Sequence, residues 1–246
     1  MAAAGAISVW PLQGVGEVRP GDDLATAILE AAAATDLTLQ DDDVLVVTQK
    51  IVSKAEGRIV QLDQVQPSPL ASALAARWAK DARVVELVLG ESRRIVRAER
   101  GVIICETWHG FICANAGVDC SNVAEGCAAL LPVDPDASAE QLRRTLAERT
   151  GARLGIIISD TFGRAWRIGQ TDVAIGVAGL QPLRRPPGDG PRRAARAIAD
   201  ELAGTAELVI SKLSRAPVAL IRGVHAAAPS ASAHGLIRRP EQDLFR

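Results

Sequence analysis

Two short runs of consecutive apolar residues constrain the fold of this chain more than any other feature. Val44–Val47 and Gly155–Ser159 show no alternation of polar and apolar residues, a pattern typical of strands that are buried on both faces. Helical and strand-like segments surround these runs, without the strict alternation of a doubly wound sheet. The sequence therefore predicts an α+β fold with mixed sheets and flanking helices.

The other elements are predicted from local signals. Helices are expected over 22–34, 69–82, 138–150 and 192–203, and further strands within 83–105 and over 172–177 and 218–221. The first helix follows a Pro20-Gly21 turn and an acidic start, and the third begins with an S-x-x-Q capping box at Ser138. The segment after Val47 is predicted to be a loop that carries two lysines, and the tail from His225 to be irregular.

Composition and charge exclude several classes of function. The chain has 246 residues, of which 48% are hydrophobic, enough for a large core. A formal charge of −1 and the lack of tyrosine provide neither a basic surface nor a stacking platform for nucleic acid. No apolar run is long enough to span a membrane and no signal-peptide pattern is present, so we expect a cytoplasmic protein. The four cysteines form no C-x-x-C pair and are expected to be free thiols.

The first candidate for chemistry is the pair Asp160-Thr161, which directly follows a predicted strand. A carboxylate beside a hydroxyl can hold a hard cation such as Mg²⁺, which prefers oxygen ligands. Gly163 lets a backbone N–H approach an oxyanion, and Arg164 and Arg167 can pair with phosphate. The alternative is that Asp160 caps a turn and the arginines are solvated, and the pair alone favours this alternative.

The second candidate is the stretch from Asn115 to Asn122. Gly117 suits a tight turn, and Asp119 and Asn122 lie three residues apart, so on a helical turn both side chains would face the same way. This arrangement suits a metal ligand beside an amide that contacts a base or a phosphate. An Asx-turn that starts a helix at Ser121 explains the same residues equally well.

The third candidate is Thr48-Gln49-Lys50 with Lys54. Two lysines four residues apart can meet a triphosphate, but lysines on an exposed helix face usually only interact with water. The sequence contains neither a G-x-x-x-x-G-K-[ST] loop nor a protein-kinase signature. A nucleotide would therefore be bound without either common apparatus.

Seven longer stretches, considered together, extend these three candidates. They are RPGDDL (19–24), VVTQKIVSKAEGR (46–58), ANAGVDCSNV (114–123), LLPVDPDASA (130–139), ISDTFGRAWRIGQTDVAIGVAGL (158–180), ADELAGTAELV (199–209) and PVALIRG (217–223). In this order they resemble the coenzyme F420-0:L-glutamate ligase family. The resemblance implies a single ligase domain over residues 1–246 and an interleaved two-lobed homodimer.

The resemblance also implies an activity. Such an enzyme uses GTP to add L-glutamate through a gamma-linkage to coenzyme F420-0, via an acyl phosphate, and releases GDP and phosphate. Mg²⁺ or Mn²⁺ would neutralise the phosphates. The number of glutamates added and the binding of a monovalent cation stay open.

Site residues carry over from the family by matching motif. Asp119 and Asp160 would ligate one metal, and Thr161 would contribute to a metal position. The residues expected to contact GTP are Gly14, Val15, Gly16, Glu17, Gln49, Lys54, Asn122 and Lys212. Lys212 can only pair with phosphate, because an ammonium group has no lone pair for a cation.

One segment departs from the family pattern. Residues 181–197 read QPLRRPPGDGPRRAARA, which is shorter and more basic than the corresponding family segment. Arg184, Arg185, Arg192 and Arg193 can pair with an acidic precursor. The departure leaves open a homologue that binds nucleotide or precursor without turnover. A metal-dependent phosphohydrolase that uses Asp119 and Asp160 is a further alternative.

Overall fold

The computed structural model describes residues 6–185, 195–210, 216–224, 228 and 232–243. Its main feature is a five-stranded sheet in the order β1-β12-β2-β8-β9. The strands are β1 (Ser8–Pro11), β2 (Val44–Thr48), β8 (Gly155–Gly163), β9 (Gln170–Ala178) and β12 (Val218–Arg222). The two apolar runs that dominate the sequence are β2 and the first half of β8, and they pair in parallel.

The central sheet is covered on both faces, which is why its inner strands need apolar residues at every position. On one face, Ile156 and Ile158 pack in a cluster with helices α1 (Leu24–Ala34) and α5 (Pro135–Thr150). On the other face, Ile157 packs against helix α6 (Ile198–Glu207). The strand period of two sends neighbouring isoleucines to opposite clusters.

The free edge of β9 is closed by three carboxylates. The backbone N–H groups of Asp172, Ala174 and Val177 donate to Glu207 (2.9 Å), Asp200 (3.0 Å) and Asp136 (2.8 Å), respectively. Glu207 and Asp200 belong to α6, and Asp136 belongs to the first turn of α5. An edge strand with unpaired N–H groups invites pairing with another chain, and these side chains remove that possibility along β9.

A second group of elements encloses its own apolar cluster. Its three-stranded sheet has the order β4 (Ser92–Glu99), β5 (Val102–Thr107) and β6 (Ile112–Ala114), and a smaller sheet pairs β3 (Ile59–Gln61) with β7 (Cys127–Ala129). The remaining elements are α2 (Gln49–Ala55), α3 (Pro69–Trp78), α4 (Ala82–Gly90), β10 (Leu183–Arg184) and β11 (Arg196–Ala197). The cluster contains Val85, Val88, Ile103 and Cys105.

The predicted α+β class with mixed sheets and flanking helices is confirmed, but several local predictions were wrong. Residues 83–90, predicted to lie in strands, belong to helix α4, because Val85 and Val88 lie on one helical face that packs in the second apolar cluster. Helix α5 begins at Pro135 with Asp134 as its N-cap, so Ser138 lies inside the helix. The segment after β2 is the short helix α2 and not a loop.

The homodimer stays a prediction, because the structure describes one chain. The single domain over residues 1–246 also stays a prediction. The four cysteines are free thiols, as expected. Within the described ranges, no helix is both long and apolar enough to cross a membrane.

Candidate functional site

Three segments that are far apart in the sequence lie together at one edge of the central sheet, the edge formed by the carboxyl ends of β1, β2 and β8. Strands β2 and β8 run in parallel with Thr48 opposite Ser159, and β12 pairs antiparallel with both β1 and β2. The carboxyl ends of β1, β2 and β8 therefore meet at the same edge. This edge carries the Gly14–Glu17 loop, the start of α2, and the Asp160-Thr161 pair.

Asp119 is connected to this edge by Lys50. The Lys50 ammonium donates to Asp119 Oδ2 at 2.6 Å and to the Ser121 carbonyl at 2.8 Å. Asp119 also accepts from the Ser121 N–H at 2.7 Å and from its hydroxyl at 2.8 Å. Burial raises the pKa of Asp119, but the hydrogen bonds from Lys50 and Ser121 outweigh it and hold the pKa below its usual value. Asp119 is therefore an ionised carboxylate paired with a lysine.

Asp160 has the opposite electrostatic environment. Burial raises its pKa to about 7, and the neighbouring carboxylates Asp172 and Asp119 act in the same direction, while the Thr161 N–H and the Lys50 charge oppose them. Like charges that share a buried site disfavour ionisation of each other. A divalent cation beside Asp160 would remove this penalty, because it supplies positive charge at the carboxylates.

Thr161 lies inside β8 and not after it, since the strand continues to Gly163. Its hydroxyl donates to Asp172 Oδ1 at 2.6 Å. The hydroxyl of Ser159, which is buried, donates to Asp172 Oδ2 at 2.9 Å. Burial raises the pKa of Asp172, and the two hydroxyl donors oppose the shift. Two hydroxyls of β8 are thus held by one carboxylate of β9.

Lys54 joins the loop after β1 to helix α2. Its ammonium contacts Glu17 Oε1 at 2.5 Å, and the N–H of Gly21 donates to the Ala55 carbonyl at 2.8 Å. The Glu17 side chain is 75% exposed, whereas that of Lys54 is 14% exposed. The structure therefore brings together the Gly14–Glu17 loop and Lys54, two parts of the predicted GTP site.

Gln49 and Asn122 differ from the simple expectation for ligand contacts. The Gln49 side chain is buried, and its oxygen accepts a hydrogen bond from Ser53 at 2.8 Å. Asn122 is exposed and has a φ of 55°, so it does not share a helical turn with Asp119. The Asx-turn at Asp119 is present, but no helix starts at Ser121, and Asp119 forms an isolated bridge with Ala129.

Three more of the expected site residues need comment. Lys212 lies outside the described residues, as do Arg192 and Arg193 of the basic segment. The two ends of that segment pair through β10 and β11, with Leu183 opposite Ala197. The segment is therefore closed at its base.

The donor set at this edge fits a hard cation that shares its ligands with a substrate. In the described part of the chain, no group of three or more His, Cys, Asp or Glu side chains could hold a metal ion. Asp119 and Asp160 supply only two carboxylates. Mg²⁺ is usually held in proteins by one or two carboxylates together with water and substrate phosphates, so two are sufficient when a nucleotide is bound.

Comparison with known proteins shows the family of this chain. The model of the family described as F420-0:Gamma-glutamyl ligase matches residues 14–223. This chain belongs to the F420-0:gamma-glutamyl ligase family. The coenzyme F420:L-glutamate ligase of Methanothermobacter thermautotrophicus is 44% identical over 98% of this chain and 99% of that protein. The family and the ligase class of enzyme expected from the motifs are thereby confirmed.

Two further relatives carry the same name as the Methanothermobacter protein. The coenzyme F420:L-glutamate ligase of Methanopyrus kandleri is 43% identical over 94% of this chain and 94% of that protein. The one from Archaeoglobus fulgidus is 37% identical over 98% of this chain and 96% of that protein. The family match over residues 14–223 spans every position from Gly14 to Lys212 named for the candidate site.

The sequence analysis gave no site role to two residues that the structure places at the site, Lys50 and Asp172. Lys50 was noted beside Lys54, but its ion pair with Asp119, 69 positions away, has no local signal. Asp172 was placed in a predicted strand without a role. The available signal was a carboxylate among the apolar residues of a buried strand, because such a group must find hydrogen-bond partners.

Proposed function

We propose that this ligase adds L-glutamate to coenzyme F420-0 through a gamma-linkage, using GTP and Mg²⁺ or Mn²⁺ and releasing GDP and phosphate. The observation that carries the proposal is the meeting of Asp119 and Asp160 with Lys50 and Lys54 at one sheet edge. Two carboxylates for a cation beside two lysines for phosphates suit a nucleotide that is bound without a P-loop. The names of the relatives support the coenzyme and L-glutamate as the two substrates that are joined.

The proposed reaction has two steps. A carboxylate oxygen of coenzyme F420-0 attacks the γ-phosphorus of GTP, the bond between that phosphorus and the bridging oxygen of the β-phosphate breaks, and GDP leaves. The amino group of L-glutamate then attacks the acyl carbon, the bond from that carbon to the phosphate oxygen breaks, and phosphate leaves. The proton of the amine passes to solvent.

The residues of the site have distinct roles in this proposal. Asp119 and Asp160 hold the divalent cation, and Thr161 contributes an oxygen at a metal position. When bound, the cation neutralises the phosphate charge that moves during transfer. Lys50 and Lys54 pair with phosphate oxygens, for which each must exchange its present carboxylate partner, Asp119 or Glu17.

The remaining expected contacts complete the proposed GTP site. The Gly14–Glu17 loop lies at the same sheet edge as Asp160, and its glycines allow the backbone to approach the nucleotide closely. Asn122 is exposed next to Ser121, which contacts Lys50. Gln49 and Lys212 complete the set as predictions from the family motifs.

The proposed homodimer is supported by an exposed apolar hairpin. Strands β8 and β9 extend past β2 as a ribbon, and at its tip Trp166 is 79% and Ile168 is 100% exposed. Large apolar side chains on a loop tip are typical of contact surfaces, and a second copy of the chain is the proposed partner. Ile168→Glu should halve the mass measured by light scattering. Leu208 lies outside this hairpin and is 84% exposed. Leu208→Glu is therefore the control and should leave the measured mass unchanged.

GDP release tests the ligase activity directly. The purified protein is incubated with GTP and Mg²⁺ or Mn²⁺, with and without L-glutamate and coenzyme F420-0, and product masses are recorded. We expect GDP formation over many turnovers to require both L-glutamate and coenzyme F420-0, and the coenzyme to gain one glutamyl unit or more. GDP release that needs neither L-glutamate nor coenzyme F420-0 would indicate a phosphohydrolase. GTP binding without turnover would indicate an inactive homologue.

A further inference from the structure

The ammonium group of Lys50 uses all its hydrogen-bonding capacity within the protein. Its three protons have three acceptors, which are Asp119 Oδ2 at 2.6 Å, the Ser121 carbonyl at 2.8 Å and the Ser121 hydroxyl oxygen at 3.2 Å. An ammonium group has three donors and no acceptor, so no proton of this one is left for a phosphate. The side chain is also largely buried, with 17% of its surface exposed. A contact of Lys50 with phosphate therefore requires it to leave partners that it now has.

Asp119 in turn has few lone pairs left for a cation. A carboxylate offers about four lone-pair sites. The N–H of Ser121 takes one on Oδ1, and the Ser121 hydroxyl and the Lys50 ammonium take two on Oδ2. The Ser121 contacts belong to a local turn, whereas Lys50 comes from helix α2, 69 positions away in the sequence. Lys50 is therefore the partner of Asp119 that can be exchanged while the turn is kept.

The charge of Lys50 acts on both carboxylates of the proposed cation site. Helix α2 packs through Ile51 into the apolar cluster on the α1–α5 face of the sheet, and Phe162 packs against the same cluster. Asp160 shares this face, because it lies two residues before Phe162 on β8. Burial raises the pKa of Asp160 to about 7, and the Lys50 charge opposes this rise. Lys50, Asp119 and Asp160 thus form one electrostatic group on one face of the sheet.

The balance of charge in this group decides how a cation binds. The two carboxylates carry two negative charges when both are ionised, and Lys50 neutralises one of them. A divalent cation beside the ammonium leaves an excess of positive charge, which is unfavourable where a partly buried site is screened weakly by solvent. The phosphates of GTP remove this excess, because they supply negative charge to both the cation and the ammonium.

We propose that Lys50 couples the binding of the divalent cation to that of the nucleotide. Without nucleotide the ammonium competes with the cation for Asp119, and with nucleotide it pairs with phosphate. This inference rests on the metal role of Asp119 and Asp160 in the proposed function. Coupling between two ligands typically changes affinity by about 5- to 150-fold. Lys50 therefore disfavours the cation alone and favours the cation together with GTP.

Mn²⁺ binding without nucleotide tests the sign of this effect and needs no catalysis. Free Mn²⁺ is measured by electron paramagnetic resonance in titrations of the wild type and Lys50→Met. We expect Lys50→Met to bind Mn²⁺ about tenfold more tightly than the wild type, because the competing charge is gone. With saturating GTP, and after subtraction of a titration of GTP alone, the order should reverse, since the variant lacks the lysine that pairs with phosphate.

Three further variants separate competition by charge from other effects. Lys50→Arg keeps the positive charge, so its Mn²⁺ affinity without nucleotide should not exceed that of the wild type. Lys50→Gln removes the charge but can still donate to Ser121, so it should reproduce the tighter binding if the methionine variant does not fold. Arg153→Met removes a cation that pairs with Asp41 just before the amino end of β8. It is the matched control and should leave Mn²⁺ affinity unchanged, because this pair lies at the opposite end of the strand from Asp160.

The outcomes distinguish this inference from the proposed function. If the wild type binds Mn²⁺ with GTP and releases GDP, but Lys50→Met has unchanged Mn²⁺ affinity without nucleotide, the coupling role is wrong and the ligase proposal stands. Weaker binding by Lys50→Met would also overturn the inference, because Lys50 would then hold Asp119 in place for the cation. If the wild type binds no Mn²⁺ even with GTP, the metal role of Asp119 and Asp160 is wrong and the inference is wrong with it.

Discussion

The most informative single substitution is Asp160→Asn, because it removes a charge that the metal-free fold holds at a cost. Burial raises the pKa of Asp160 from 3.8 to about 7. The pKa of Asp160 in the folded state lies above its pKa in the unfolded state. At pH values between the two pKa values, the folded state therefore binds more protons than the unfolded state. The contribution of Asp160 to stability is therefore intact below about pH 4 and is lost as the pH rises through about 7.

The size of the effect follows from the pKa shift. Each pKa unit corresponds to about 1.4 kcal/mol, so a shift of about three units sets an upper limit of about 4 kcal/mol. Asparagine has no charge to lose. In metal-free buffer, the difference in unfolding free energy between Asp160→Asn and the wild type should therefore grow by about 2–4 kcal/mol from pH 4 to pH 8, with the variant the more stable protein at pH 8.

Thermal unfolding with a chelator present measures this difference. For a chain of this length, the variant should unfold about 5–15 °C above the wild type at pH 8, relative to their difference at pH 4. Added Mg²⁺ should stabilise the wild type and not the variant, which should also lose metal-dependent GDP release. Asp63→Asn, an exposed carboxylate after β3, is the matched control. A difference that is independent of pH would refute the argument that Asp160 is buried beside other carboxylates.

Two further predictions concern binding and packing. Lys54→Ala should weaken GTP binding about 10- to 100-fold, the value of a charge-assisted hydrogen bond, while Lys80→Ala should not; unchanged affinity in calorimetry would remove Lys54 from the site. Gly176→Ala should destabilise the fold by about 3 kcal/mol, because its added carbon would lie 2.3 Å from the Pro135 carbonyl oxygen. In denaturant unfolding, Gly16→Ala is the comparison, since nothing lies within 4 Å of its added carbon; equal stability of the two variants would contradict the close packing of α5 on β9.

Local signals predicted those elements whose cause is local. The apolar runs of β2 and β8 were found because a strand buried on both faces needs apolar residues throughout. Helix α4 was missed, because its valines carry high strand propensity and only packing against the second apolar cluster decides for a helix. The start of α5 was predicted three residues too late. Asp134 and Ser138 both suit an N-cap, and Pro135 suits the first position of the helix that Asp134 caps.

The sequence by itself determined the α+β class, the buried strands and the family, and it singled out Asp119, Asp160, Thr161 and Lys54, because residue types and their order along the chain carry this information. Only the tertiary structure decided which charged and polar groups are partners. Lys50 pairs with Asp119 across 69 positions, and Asp172 meets Thr161 across a hairpin. Such pairs depend on strand register and on burial, which raise or lower a pKa through distances that no local pattern encodes.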